Sequence, residues 1–235
     1  MNWPVDDLRI QLDFETIPTT QNQAVAWVKR GFPYGACTAK MQTAGRGRLD
    51  REWITAPGES LAATLIFWDH ADHPNAAWLG MAMALAVARS FDAHVQWPND
   101  VVYGDRKVAG ILAETVLDPE GRRIPVVGVG VNLKQTEFPP EIAYRATSVL
   151  QATGQVWTPE EALHRIATEW RRLPEVRDWS DLEPIWQERD QTPGKLFRTP
   201  GGEVMKADGI CAEGALVVQG AAGRQVITVA DALFG

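Results

Sequence analysis

Between Met41 and Trp53 the chain reads MQTAGRGRLDREW. Arg46, Arg48 and Arg51 place guanidinium forks close together, the geometry that grips phosphate or carboxylate oxygens. Gly45 and Gly47 alternate with them. Glycine opens positive φ to the backbone and lets its N–H groups face a ligand. An anion-binding loop is one reading, and a solvated hairpin tip carrying the same charges is the other. The run is not a Walker loop, because no Gly-Lys-Ser/Thr follows. It also lacks the third glycine of a dinucleotide fingerprint.

A second stretch, QWPNDVVYGDRKVAGILAE, runs from Gln96 to Glu114. Trp97-Pro98 predicts an extended approach, and Asn99-Asp100 sets two polar side chains after it. In a hairpin turning at Gly104-Asp105, Asp100 and Lys107 fall on adjacent strands, close enough to pair. A lysine held there can also neutralise phosphate charge, whereas a surface ion pair of the same kind contributes little. A third stretch, Gly128-Val129-Gly130-Val131-Asn132, puts two glycines inside a strand. They weaken it unless a ligand or another backbone must come close. Asp69, His70, Asp72 and His73 could be metal ligands, but a polar loop between strand and helix is the better reading. No Gly-x-Ser-x-Gly elbow supports acyl hydrolysis.

These residues need a scaffold, and the patterning supplies one. Residues 22–30 read as a short helix stopped by Gly31. Residues 36–41 read as a strand, and the apolar run 60–68 as a buried strand. The Ala-rich segment 75–91 reads as a helix packed against a sheet. Residues 101–116 read as a hairpin and 124–133 as a β-branched strand. Thr158-Pro159-Glu160-Glu161 is a capping box opening a helix to about Leu173, and a shorter helix covers 180–189. From Gly194 the pattern turns to short strands separated by glycines, as in a small β-barrel or half-barrel. A boundary near 190 divides a domain of 1–190 from one of 191–235.

The 235 residues carry a net charge of −7, which argues against general affinity for nucleic acid or an anionic membrane. No segment is long and apolar enough to span a bilayer. The two cysteines lack metal-type spacing and read as reduced thiols of a cytoplasmic protein. Ten tryptophans read as core or rim residues.

GRGRLDREW, WPNDVVYGDRKVAGILAE and GVGVNL, in this order and at these separations, resemble the catalytic domain of biotin protein ligases, in the biotin/lipoate protein ligase superfamily. The resemblance covers roughly residues 15–135. The glycine-punctuated end is similar to the family's C-terminal SH3-like domain. With only about 14 residues ahead of the match, the class without an N-terminal DNA-binding domain is expected. The implied fold is α+β: a mixed central sheet packed by helices, class II synthetase-like, with a small SH3-like β-domain after it.

The resemblance implies an ATP-dependent enzyme that makes biotinyl-5′-AMP and passes biotin to a lysine of a carboxylase carrier domain. ATP, biotin and Mg²⁺ are the implied ligands, and a monomer or homodimer the implied state. No resident protein metal site is expected. Carried over by position, Lys107, Asp100, Arg46 and Arg48 would be catalytic. Lys107 would contact the biotin carboxylate and α-phosphate, and Asp100 would help the acceptor lysine lose its proton. Thr20, Asn22 and Gln42 would lie about the biotin head. Gly45, Gly47 and Arg51 would belong to a loop closing over biotin and phosphate. Trp53, Asn99 and Asn132 would lie near the nucleotide, and Gly110, Gly128 and Gly130 would let backbone approach biotin.

Several positions depart from the family pattern. Gln96 stands where lysine is usual, Asp50 where glycine is usual, and Thr20-Gln21-Asn22 for Ser-Thr-Asn. The strand that usually reads Leu-Tyr-x-Ser becomes Leu61-Ala62-Ala63-Thr64. The carboxylate added at 50 and the cation lost at 96 are expected to weaken the hold on polyphosphate. A related acid such as lipoate or octanoate, or a binder without turnover, stays open.

Overall fold

The computed structural model describes residues 1–5, 11–48, 51–199, 201–220, 223–228 and 231–233. In chain order its elements are β1 (Gln11–Ile17), α1 (Thr20–Lys29), β2 (Ala36–Gln42), β3 (Ser60–Ile66), α2 (Ala76–Phe91), β4 (His94–Gln96), β5 (Asp100–Tyr103), β6 (Arg106–Leu117) and β7 (Arg123–Asn132). There follow α3 (Pro140–Ala143), α4 (Val149–Thr153), α5 (Pro159–Arg171) and α6 (Trp179–Gln187), then β8 (Leu196–Arg198), β9 (Val204–Ile210), β10 (Leu216–Gly220), β11 (Gly223–Ile227) and β12 (Asp231–Leu233).

Strands β1 to β7 form one mixed sheet in the order β1-β2-β3-β7-β6-β5-β4. Only β1 and β2 pair in parallel; the other neighbours are antiparallel. Register divides its two faces by residue parity, because side chains alternate along a strand. Leu61, Ala63 and Leu65 of β3 align with Val131, Val129 and Val127 of β7. Ala109, Ile111 and Ala113 of β6 continue that face. It is apolar and carries α2, from which Leu79, Met83, Val87 and Phe91 join the same core. The Asn75 side chain caps α2 by accepting from the Ala77 amide at 3.0 Å, and Asp92 ends it in the left-handed conformation at φ 51. The opposite face carries the site.

Strands β8 to β12 form a separate antiparallel sheet in the order β11-β10-β9-β8-β12. It is not detached from the main core. Phe197, Met205, Ala207, Leu216 and Val218 belong to the same buried cluster as α2. The Trp97 indole donates to the Gly214 carbonyl at 2.9 Å.

The helix and strand expectations between residues 20 and 133 match these elements to within a few residues, and so does the capping box of α5. Five elements were not expected: β1, β4, α3, α4 and β12. The short ones are a single turn or three residues, too brief for a period to show. Strand β1 does alternate, with Leu12 and Phe14 packed against a second core cluster, but the run is short and was not read. Two local expectations are corrected. Trp97–Pro98 is a cis peptide, not an extended approach. Gly45 and Gly47 are not among the positive-φ glycines. Gly45 serves close packing instead, since a Cβ there would lie 2.2 Å from the Trp53 carbonyl oxygen.

Candidate active site

The site face of the sheet is nearly bare in its middle. Ala62 of β3 aligns with Gly130 of β7, Gly130 with Gly110 of β6, and Gly110 with Asp100 of β5. Three strand spacings, about 14 Å, therefore pass with nothing larger than a methyl group before a carboxylate appears. The next row sets Thr64 beside Gly128 and Gly128 beside Leu112. A cavity of about 630 Å³ lies on this strip.

One end of the cavity is uncharged and polar. Thr20 begins α1, after Thr19 caps it. Gln42, at the end of β2, accepts from the Thr20 amide at 2.8 Å and from its hydroxyl at 3.1 Å. Its own Nε2 donates to Thr55 at 3.3 Å. The Thr64 hydroxyl stands 2.9 Å from Thr20 Oγ1 and 3.3 Å from Gln21 Oε1. All five side chains belong to buried residues.

The other end is charged. The Lys107 ammonium pairs with Asp100 at 2.5 Å across the β5–β6 hairpin. Arg48 donates to Asn99 Oδ1 at 3.2 Å. Asn99 is itself fixed, because its Nδ2 donates to the Ile111 carbonyl at 2.6 Å and its carbonyl accepts from the Ile111 amide at 3.0 Å. Lys107 is fixed at its backbone too: its amide donates to the Arg145 carbonyl, and its carbonyl accepts from the Thr147 amide.

Over the strip lies the Gly/Arg run. It folds back on itself through Gly47 N–H to the Arg51 carbonyl at 2.7 Å and Trp53 N–H to the Gly45 carbonyl at 2.9 Å. The Trp53 indole rests on the glycines: a Cβ on Gly130 would lie 2.4 Å from its Cε2, and one on Gly110 3.2 Å from its Cζ3. Lys107 Nζ is 5.8 Å from the centre of that ring. Arg46 spans to Glu114 at 3.0 Å and to Asn22 Oδ1 at 2.7 Å.

The structure thus brings Thr20, Gln42, Arg46, Gly47, Arg48, Arg51, Trp53, Asn99, Asp100, Lys107, Gly110, Gly128, Gly130 and Asn132 to one cavity. Asn22 and Gly45 do not line it. Asn22 holds Arg46 from behind, and Gly45 seats Trp53. Asn132 bonds the Thr147 carbonyl at 3.0 Å and accepts from Gln135 at 3.2 Å. Gln96 also lies off the lining; it is 1% exposed, and neither amide atom finds a partner among the described residues. Asp50 lies outside the described residues. His73 is bound to the Val176 carbonyl at 2.7 Å and accepts from the Asn75 amide at 3.2 Å, so it braces a loop. Among the described residues no three His, Cys, Asp or Glu side chains gather as a metal site.

Sequence reasoning missed the lining residues Gln21 and Thr64 and the rim residues Glu137, Glu141 and Arg145, and it missed Glu114, which lies off the lining and bonds Gln21 and Arg46. Glu114 had a signal: it shares the parity of Gly110 and Leu112 on one strand. Glu141 sits in the single-turn helix α3, and Glu137 and Arg145 flank it, a segment too short for a period to read.

The sequence profile described as the biotin/lipoate A/B protein ligase family matches residues 15–132. The biotin–[acetyl-CoA-carboxylase] ligase of Paracoccus denitrificans is 36% identical over 217 residues, covering 84% of this chain and 89% of that protein. The enzyme of the same description from Mycobacterium tuberculosis is 33% identical over 183 residues, covering 70% and 65%. The solved structure of the biotin protein ligase from Aquifex aeolicus in complex with biotin and ATP superposes with a TM-score of 0.75 at 25% identity, covering 95% of this chain and 97% of that one.

Proposed function

This chain belongs to the biotin/lipoate A/B protein ligase family, and from that premise we propose that its cavity binds biotin and ATP, joins them as biotinyl-5′-AMP, and delivers biotin to a carrier-domain lysine. The observation that carries this reading is the bare strip Ala62–Gly130–Gly110, running from a polar end to Asp100. With the Trp53 indole lying on the glycines, the cavity beside that ring suits a flat head and an extended aliphatic arm ending in a carboxylate. Arg48, Arg51 and Lys107 stand where that carboxylate would meet phosphate.

In the first step a biotin carboxylate oxygen attacks the α-phosphorus of ATP. The bond to the bridging oxygen breaks and pyrophosphate leaves. Two anions must approach, so cations and aimed donors lower the barrier. Lys107 supplies one positive charge on a rigid hairpin, and Arg48, held by Asn99, a second. Mg²⁺, when bound, would lessen the repulsion among the phosphates, and Asp100 is the carboxylate at that end that would help hold it.

In the second step the acceptor lysine amine attacks the acyl carbon and AMP leaves. The amine must first lose a proton, since a free lysine titrates near about 10.4. Asp100 is the carboxylate placed to take it. Before ligand binds, Lys107 neutralises Asp100. Phosphate oxygens compete for the ammonium and leave Asp100 more available as acceptor.

Residues 1–190 form the catalytic part in this reading and residues 191–235 a small SH3-like part. The two free cysteines suit a reducing compartment, the cytoplasm. Acid-dependent ATP–pyrophosphate exchange, run with biotin, lipoate and octanoate side by side, tests the assignment. Exchange with biotin, followed by label transfer to a carrier domain, is the expected result. Exchange with lipoate or octanoate alone would move the assignment to another acid, and exchange with none would leave a binding protein.

A further inference from the structure

Strand parity alone would put Lys107 on the wrong face of the sheet. In β6, Ala109 and Ile111 belong to the core that holds α2, whereas Gly110 lines the cavity. Side chains alternate along a strand, so residue 107 falls with Ala109. The Lys107 side chain nevertheless lies on the cavity side, where a Cβ on Gly110 would come within 3.0 Å of its Cε. The register explains the reversal. Val101 aligns with Ala109 and Val102 with Lys107, so Val108 is one extra residue in β6, a bulge. Val108 and Ala109 are both fully buried in the core that holds α2.

A bulge re-aims one side chain, and a slip of one residue undoes it. The ammonium would then turn into the apolar core. The backbone around Lys107 is held against that slip. In β6 the Ile111 amide donates toward β5, to the Asn99 carbonyl. In a regular ladder residue 107 would point its N–H and C=O the same way. The bulge turns them to the opposite edge, beyond the end of β7 at Asn132, where residues 145–147 lie. There the Lys107 amide donates to the Arg145 carbonyl at 2.7 Å and the Thr147 amide donates to the Lys107 carbonyl at 2.9 Å, a parallel bridge between Lys107 and Ala146. The Thr147 carbonyl accepts from Asn132 Nδ2 at 3.0 Å. Asn132 Oδ1 accepts from Gln135, which also donates to Ser60. Asn132, Gln135 and Thr147 are all buried.

We propose that Asn132 is a positioning residue of the adenylation step: through the Thr147 peptide it locks the bulge at Val108 and so keeps the Lys107 ammonium on the cavity side of the sheet. The inference rests on the reading of the cavity as the biotin and ATP site. Asn132 lines that cavity, but its amide is spent on Thr147 and Gln135, and its effect reaches the reacting atoms through Lys107. Positioning of this kind sets how often the cation stands ready, which alters kcat and leaves the hold on either substrate alone.

The test uses Asn132→Ala, Thr147→Pro and Lys107→Ala in the full chain, with Asn132→Ala and Lys107→Ala also combined. Thermal melts establish that each folds. Thr147→Pro removes the N–H that holds the Lys107 carbonyl, and Asn132→Ala is the milder change; either one, once folded, carries the comparison. Each should lower kcat for biotin-dependent pyrophosphate exchange about tenfold, the loss of one buried hydrogen bond. KM for biotin and for ATP should stay within about twofold, the pattern of an interaction felt in the transition state alone. In the Lys107→Ala background Asn132→Ala should cost less than about twofold, because the group it positions is gone. Hydrogen exchange at the Lys107 amide should become about tenfold faster in Asn132→Ala as the clamp loosens. A raised ATP KM, with losses that add in the double variant, would make Asn132 a nucleotide contact and overturn the proposal. An unaltered kcat or an unaltered Lys107 amide in Asn132→Ala would overturn it too, while the ligase reading stood. If the wild type exchanges pyrophosphate with no acid, the ligase reading falls and the proposal falls with it.

Discussion

Lys107 Nζ lies 2.5 Å from Asp100 Oδ1, so the cation and the carboxylate nearest the bare glycine strip neutralise each other across one hairpin. The Asp100 side chain is 11% exposed and that of Lys107 28%. Each therefore depends on the other or on an arriving ligand for compensation of its charge.

Lys107→Ala should cut adenylate formation by about 10²–10³-fold, the usual cost of removing one aimed donor from developing charge. Pyrophosphate exchange reads this directly, and circular dichroism checks the fold. Asp100→Asn should behave differently. Exchange should fall less than transfer of preformed biotinyl-5′-AMP to the carrier lysine. Equal losses in both assays would remove Asp100 from the second step.

Gly130→Ala places a methyl group where the Trp53 indole now lies, since a Cβ would be 2.4 Å from Cε2. The ring cannot yield without leaving the strip, so Trp53 is displaced toward solvent. KM for both biotin and ATP should rise together, by about tenfold, because the ring covers the middle of the slot. A variant with wild-type KM values would mean that Trp53 moves aside at no cost.

The glycine spacing at 128 and 130 was legible because a period of two decides which side chains share a face; the pairing of Asp100 with Lys107 was legible from the hairpin turn, although a register shift between Val101 and Val102 breaks the parity there. What could not be read was which residue would meet which across the sheet. Glu114 and Gln21 are 93 positions apart, and no local pattern announces their contact. Gln96 was legible as a missing charge but not as a buried side chain, since burial depends on packing that no local pattern announces. The rim at Glu137–Arg145 adds side chains from the short segment around α3. The capping box of α5 was read whole because its two bonds lie within four residues.

Cys37 and Cys211 should respond unequally to thiol reagents. Cys37 is fully buried, and that burial, with a smaller contribution from the Asp13 carboxylate, pushes its thiol up to about 12. The thiolate is the nucleophile. Near neutral pH Cys37 is protonated as well as enclosed. Alkylation of the native protein should label Cys211 alone, and labelling of both should require denaturant. Rapid native labelling of Cys37, read by peptide mass, would show that the sheet opens around β2.

The last prediction concerns Gln96, where charge counting and geometry disagree. A lysine at this position would bring a cation, and charge counting expects faster adenylation from Gln96→Lys. The structure sets the side chain at 1% exposure, off the cavity lining, with neither Oε1 nor Nε2 bonded among the described residues. Register aligns Gln96 with Asp100, on the same face of the sheet, so Asp100 is the carboxylate a buried cation would seek. Such a cation would compete with Lys107 for Asp100 instead of reaching phosphate. Gln96→Lys should therefore give no rate gain and should lower Tm. Gln96→Leu should raise it, because leaving a buried polar group unpaired costs about 1–3 kcal/mol and an apolar side chain of similar size removes that cost. For a chain of this length each kcal/mol moves Tm by about 2–4 °C. Differential scanning calorimetry on the three proteins, with pyrophosphate exchange alongside, decides the matter. A destabilised Gln96→Leu would show that the amide is bonded in solution, and a faster Gln96→Lys would show that position 96 acts on the phosphates after all.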